Sequence, residues 1–147
     1  MQTKQEKAVS SHQSGFNCAQ SVLTAFSDEL KFDDKLALCI SCGFGAGMGR
    51  LQKTCGAVTG SYMVLGIYAC KKYTDNIERK EKSYALIQQF DEKFRSMYNT
   101  TDCKPLLGCN LMTEEGRQFA RENNLFEIRC NKYIADSITI VEELTGK

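Results

Sequence analysis

Cys55-Gly56-Ala57-Val58-Thr59-Gly60-Ser61-Tyr62-Met63-Val64-Leu65-Gly66-Ile67-Tyr68-Ala69-Cys70-Lys71-Lys72 is apolar almost all the way round at helical spacing. A helix without a polar face belongs at the centre of a bundle, and Gly56, Gly60 and Gly66 would let its neighbours approach closely. Cys70, inside this run, reads as core.

Helical patterns flank this hub on both sides. A polar helix is expected over Lys4–His12, and the next runs from about Cys18 to Leu30 with Ala19, Val22, Leu23, Phe26 and Leu30 in one stripe and Ser14 or Asn17 as cap. Another starts at Asp33 or Asp34 and carries Leu36, Cys39, Ile40 and Gly43 at positions i, i+3, i+4 and i+7. Beyond the hub, Asp75 and Glu78 have the spacing of a reciprocal cap, opening a long helix lined by Ile87, Phe90, Phe94, Met97 and Tyr98. An irregular connection over Asn99–Met112 holds Cys103, Pro105, Gly108 and Cys109. Thr113 then caps a short helix whose first turn carries Glu114 and Glu115, and a last helix over about Lys132–Leu144 turns Ile134, Ile138 and Val141 inward. With one proline and few alternating β-branched runs, the chain reads as all-α: one domain over residues 1–147, a bundle of five to six helices around a central apolar one.

At 147 residues the chain is long enough to bury a sizeable core without disulfides. The net charge of +1 comes from evenly interspersed acids and bases, which argues against nucleic acid as a partner. Met1–Lys7 is polar, unlike a signal peptide, and no segment reaches the roughly 20 apolar residues that span a bilayer, so a cytoplasmic protein without membrane insertion is expected. A redox partner protein and a homo-oligomer are both compatible with this reading.

Thiols are kept reduced in the cytoplasm, so eight cysteines point to metal binding or redox work more than to a disulfide framework. Three of them stand where helices begin: Cys18 after Asn17, Cys55 after Thr54, and Cys130 before Asn131. Unpaired N–H groups and the dipole at a helix start stabilise a thiolate, which favours ligation or redox chemistry. If those helix starts and the Cys103–Cys109 connection met at one end of the bundle, the resulting four-thiolate site would suit zinc or an iron–sulfur cluster. The spacing matches neither a zinc ribbon nor a bacterial ferredoxin.

Three segments carry a resemblance to a known family. Phe16-Asn17-Cys18-Ala19-Gln20-Ser21-Val22-Leu23, Gly43-Phe44-Gly45-Ala46-Gly47-Met48-Gly49-Arg50 and Cys55-Gly56-Ala57-Val58-Thr59-Gly60 resemble the redox-active protein family named for four cysteines, C_GCAxxG_C_C. The order Cys55-Gly56-Ala57 departs from the Gly-Cys-Ala of that label. The resemblance covers nearly the whole chain and implies Cys18, Cys55, Cys103 and Cys130 as the four family positions, here the expected cofactor and metal ligands. The fold is also similar to part of split-Soret cytochromes, where such a domain is associated with an iron–sulfur cluster beside haem. Haem itself does not carry over, because Cys39-Ile40-Ser41-Cys42 is followed by Gly43 rather than the histidine of an attachment motif.

The expected function is therefore redox or electron transfer at a cysteine-ligated centre, foremost an iron–sulfur cluster on Cys18, Cys55, Cys103 and Cys130. Two alternatives stand beside it: a thiol-disulfide oxidoreductase in which a helix-start thiolate such as Cys55 attacks, and a zinc-clamped binding module without enzymatic activity. Cys109 is a competing fourth ligand, whereas Cys39 and Cys42 read as packing or incidental thiols. Gly45-x-Gly47-x-Gly49 with Arg50 and Lys53 resembles a phosphate loop but follows a helix instead of a strand, so it is expected to be a turn allowing close backbone approach. His12, the one histidine, stands near Cys18 and could serve as a ligand or a base, but in a polar N-terminal segment it is expected to be solvated. Asp33, Asp34, Glu114 and Glu115 read as helix-start residues.

Overall fold

Asn17, Asp33, Asp75 and Thr113 each turn a side-chain oxygen onto a backbone N–H three residues on, and four helices start there. The computed structural model describes residues 1–147 and is all-helical, without strands. Its principal helices are α1 (Lys4–Gln13), α2 (Cys18–Thr24), α3 (Ser27–Leu30), α4 (Asp34–Ser41), the single turn α5 (Gly45–Met48), α6 (Gly56–Lys72), α7 (Asn76–Tyr98), α8 (Cys103–Leu107), α9 (Glu114–Glu122) and α10 (Asn131–Thr145). A 3-10 turn over Cys42–Phe44 and a π turn over Phe126–Cys130 complete the set.

The apolar run over 55–72 forms α6 and packs against α2, α7 and α10 as the hub. Val22, Leu23 and Phe26 of the expected stripe meet Val58, Val64 and Leu65 of α6, Phe90 and Phe94 of α7, and Ile134, Ile138 and Val141 of α10 in one core. Full burial of each such side chain is worth about 1.5–3 kcal/mol, which outweighs the weak intrinsic helicity of the short pieces. Where a Cβ on Gly60 would stand only 2.8 Å from the Ala19 carbonyl oxygen, the absent side chain lets α2 lie directly on α6. Gly66 faces open space, so the close approach expected there does not occur.

Several outward-facing residues depart from the sequence pattern. Cys70, expected in the core, is exposed in the last turn of α6. On α4 the stripe Leu36, Cys39 and Ile40 faces outward, and Ala37 and Ser41 are buried instead. The small side chains are what fit against α2, with which α4 packs. Met97 is likewise exposed, because the inner face of α7 is taken up by Phe90 and Phe94. No helix is long and apolar enough to cross a membrane.

A smaller apolar cluster of Leu107, Leu111, Ala120 and Leu125 stands beside the main core and carries α8 and α9. Two segments clip it to the bundle. Cys55 N–H donates to the Thr101 carbonyl at 2.7 Å, Cys103 N–H donates to the Lys53 carbonyl at 2.6 Å, and Thr54 and Asp102 form an isolated antiparallel bridge. Thr54 is thus engaged in this clip, and Cys55 itself occupies the N-cap of α6.

Candidate functional site

Between the two apolar clusters lies a cavity of about 390 Å³ whose wall includes Cys18, Cys55, Cys103 and Cys130. All four cysteines implied by the family resemblance face it, and the other four do not. Each arrives by a different local device. Cys18 is the first residue of α2, fixed by a capping box in which Asn17 accepts from Gln20 N–H at 2.9 Å and Gln20 accepts from Asn17 N–H at 3.0 Å. The clip sets Cys55 and Cys103 side by side at the starts of α6 and α8. Cys130 ends the π turn that runs unbroken into α10, so it does not stand at a free helix start as its position before Asn131 had suggested. That leaves it without the unpaired N–H groups a true N-terminus would supply.

Burial decides the electrostatics of these sulfurs. Cys18 is held well above the ordinary thiol range by its hydrogen bond to Cys130 and by burial, with His12 pulling the other way. Burial and the neighbouring Cys18 push Cys55 up strongly, although the N–H groups of Ala57 and Val58 act in the opposite sense. Cys103 is pushed up to about 11 by burial, with Gln52 opposing. The activated thiolate expected at a helix start is therefore absent from the free-thiol protein: desolvation disfavours the charged form more than the helix ends favour it. All eight cysteines are free thiols. No three His, Cys, Asp or Glu side chains stand close enough together to share one metal ion as they are arranged.

Three neighbours complete the wall or its support. His12, expected in solvent, is half-buried in the cavity wall, with Nε2 3.8 Å from Cys18 Sγ and Nδ1 2.7 Å from Asn131 Oδ1. Nδ1–H donates to Asn131, which leaves the Nε2 lone pair of the neutral ring facing Cys18. The His12 pKa is raised: burial acts to lower it and is outweighed by Cys18, Asn131 and Glu127. Gln52 is buried and donates from Nε2 to the Cys109 carbonyl at 2.8 Å, accepts from Leu111 N–H at 2.7 Å, and has Nε2 3.9 Å from Cys103 Sγ. Cys109 thus contributes a carbonyl to the support rather than a thiol to the cavity.

The glycine segment is a turn, as expected, and a left-handed one. Ala46, Gly47, Met48, Gly49 and Arg50 have φ between 54° and 67°, and a Cβ on Gly47 would stand 2.5 Å from Gln52 Cα and 2.7 Å from Cys103 Cβ. Nothing in the local sequence pointed to Gln52, whose partners lie 51 to 59 residues away, and although Cys18 is only six residues from His12, the Asn131 that orients the ring lies 119 residues away. The available signals for His12 were its nearness to Cys18 and the rarity of histidine.

Four cysteines converging on one cavity, in an all-helical fold built around a Gly56–Gly60 contact, define a class of cysteine-centred helical proteins. Residues 16–144 match the family described as "Putative redox-active protein (C_GCAxxG_C_C)", and the chain belongs to that family. No match was found among curated proteins or among solved structures.

Proposed function

We propose that the cavity is a redox centre in which Cys18, Cys55, Cys103 and Cys130 ligate an iron–sulfur cluster. The observation that carries this reading is the convergence of these four cysteines, 18 to 130 in the chain, on the wall of one cavity. Their donor chemistry is that of such clusters. When bound, the cluster would supply one-electron transfer.

The chain's own residues would hold and tune it. Leu106, Leu107 and Leu111 exclude water from one side of the cavity. Donors face two of the four sulfurs: Ala57 and Val58 N–H toward Cys55 and Gln52 Nε2 toward Cys103. Such donors offset negative charge on sulfur and raise the potential.

A second reading rests on Cys18 and Cys130 lining the same cavity beside His12. Exchange with a disulfide substrate would join the two sulfurs and pass two electrons and two protons to the substrate, which leaves as two thiols, with His12 placed to accept the Cys18 proton. It replaces the Cys55 nucleophile of the oxidoreductase alternative, since Cys55 is only 6 % exposed.

Anaerobic purification followed by iron, sulfide and zinc analysis with a visible spectrum separates these. Iron and sulfide in equal amounts with visible absorption are expected. Colourless protein that takes up neither iron nor sulfide on anaerobic reconstitution rejects the cluster. If that protein forms a Cys18–Cys130 disulfide on mild oxidation, the second reading stands in its place.

A further inference from the structure

The wall of the cysteine cavity holds three of the chain's six arginines, Arg50, Arg117 and Arg121, and no aspartate, glutamate or lysine. In a chain whose net charge is only +1, that is a local concentration of one sign. We propose that this cavity binds a small molecule through a carboxylate or phosphate group held by these arginines, with the rest of the ligand seated against the apolar wall.

One carboxylate serves two of the three cations. Glu114 accepts from Arg117 Nη2 at 2.9 Å and from Arg121 Nη2 at 3.0 Å, which braces the two guanidiniums side by side. Arg117 also donates from Nη1 to the Leu111 carbonyl at 2.8 Å. Arg50 makes no ion pair or side-chain hydrogen bond at all. A guanidinium has five N–H donors in a planar fork suited to oxyanions, so Arg121 and Arg50 keep most of theirs free.

Arg50 is held there at a conformational cost. Ala46, Met48 and Arg50 all have left-handed backbone, with φ of 54°, 67° and 65°, which side chains with a Cβ rarely adopt. The turn that carries this strain supplies Ala46, Gly47 and Arg50 to the cavity wall, and strained backbone of this kind clusters at ligand sites. Concavity favours a small molecule over the acidic face of a protein. The volume of about 390 Å³ lies within the roughly 300–1,000 Å³ of small-molecule sites, and Leu107, Leu111 and Phe126 give it an apolar interior.

The ligand would share this cavity with whatever the sulfurs hold, taking its arginine end. The proposal is tested by calorimetric titration of the protein as purified, at low ionic strength, with inorganic phosphate and with benzoate. Metal content is measured on the same samples, so failure of either proposal is seen separately. At least one probe is expected to saturate with a Kd of about 1 mM or below. Arg50→Gln and Arg121→Gln should each weaken it by about tenfold, Arg50→Lys by less, and Lys80→Gln, an exposed charge outside the cavity, not at all. Preference for benzoate identifies a carboxylate ligand and preference for phosphate a phosphorylated one. The proposal is overturned if neither probe saturates below about 10 mM, or if Lys80→Gln weakens binding as much as Arg50→Gln does.

Discussion

Asn131 Oδ1 lies 2.7 Å from His12 Nδ1 and so joins the residue after Cys130 to the helix that precedes Cys18. The contact fixes which nitrogen of the imidazole faces Cys18 and ties α1 to the start of α10 at the cavity wall. His12→Ala should therefore change the environment of Cys18 without removing a cysteine. The expected outcome is a shifted visible spectrum or midpoint potential with metal content kept; identical spectra and potentials in parent and variant would place His12 outside the centre.

Cys103 and Cys109 are six residues apart, yet only Cys103 faces the cavity. On the proposed function, Cys103→Ser should lose most of the bound iron while Cys109→Ser, Cys39→Ser and Cys70→Ser keep it. Iron and sulfide per chain decide this, and equal losses in Cys103→Ser and Cys109→Ser would remove the distinction.

Gly60 is where α2 and α6 touch most closely. A methyl group there would meet the Ala19 carbonyl oxygen at 2.8 Å and Ala19 Cα at 3.1 Å, both backbone atoms that cannot rotate away. Gly60→Ala is expected to cost about 1–3 kcal/mol in urea unfolding and to move Cys18 relative to Cys55. Gly66→Ala, which meets nothing within 4 Å, should be neutral or stabilising by up to about 1 kcal/mol. The two variants differ only in position along one helix.

Gln52→Ala removes the acceptor of a buried Leu111 N–H and the donor to the Cys109 carbonyl. Each group left unsatisfied costs about 1–3 kcal/mol, so a loss on the order of 2–6 kcal/mol is expected, with faster amide exchange at Leu111. Unchanged exchange there would show that the segment is held by other contacts.

The metal-free protein should weaken in alkali. Cys103 titrates at about 11 when folded against 9.0 for an ordinary thiol, so the folded state binds more protons between these values. Its contribution is fully present below pH 9 and is lost as pH rises through about 11, on the order of 2–3 kcal/mol from this group, with Cys18 and Cys55 acting in the same direction. Urea midpoints across this range, compared with Cys103→Ala, test it; a variant that weakens as steeply as the parent would exclude Cys103 as a source.

The helices were legible where burial and capping act within one turn or along one face. Ile134, Ile138 and Val141 face inward as their spacing required, and Asn17 and Thr113 cap as their positions suggested. The same spacing misled at Leu36, Cys39 and Ile40, because a stripe records which residues share a face and not whether a neighbour covers it. Cys70 misled for the same reason at the end of α6.

From its amino-acid order alone this chain determined an all-helical bundle around α6, with four cysteines marked out by local context and by resemblance to a family. That much follows from periodicity, caps and side-chain volume, which act over a few residues. Tertiary packing decided that Cys18, Cys55, Cys103 and Cys130 share one cavity, that His12 and Gln52 stand beside them, and that three arginines gather at its wall. Those groups meet across tens of residues, through a glycine contact between two helices and a backbone clip between two loops, and no local pattern encodes the distance such contacts close. Packing also raised the thiol pKa values against the helix-end effect, since burial depends on everything that surrounds a sulfur and not on what precedes it in the chain.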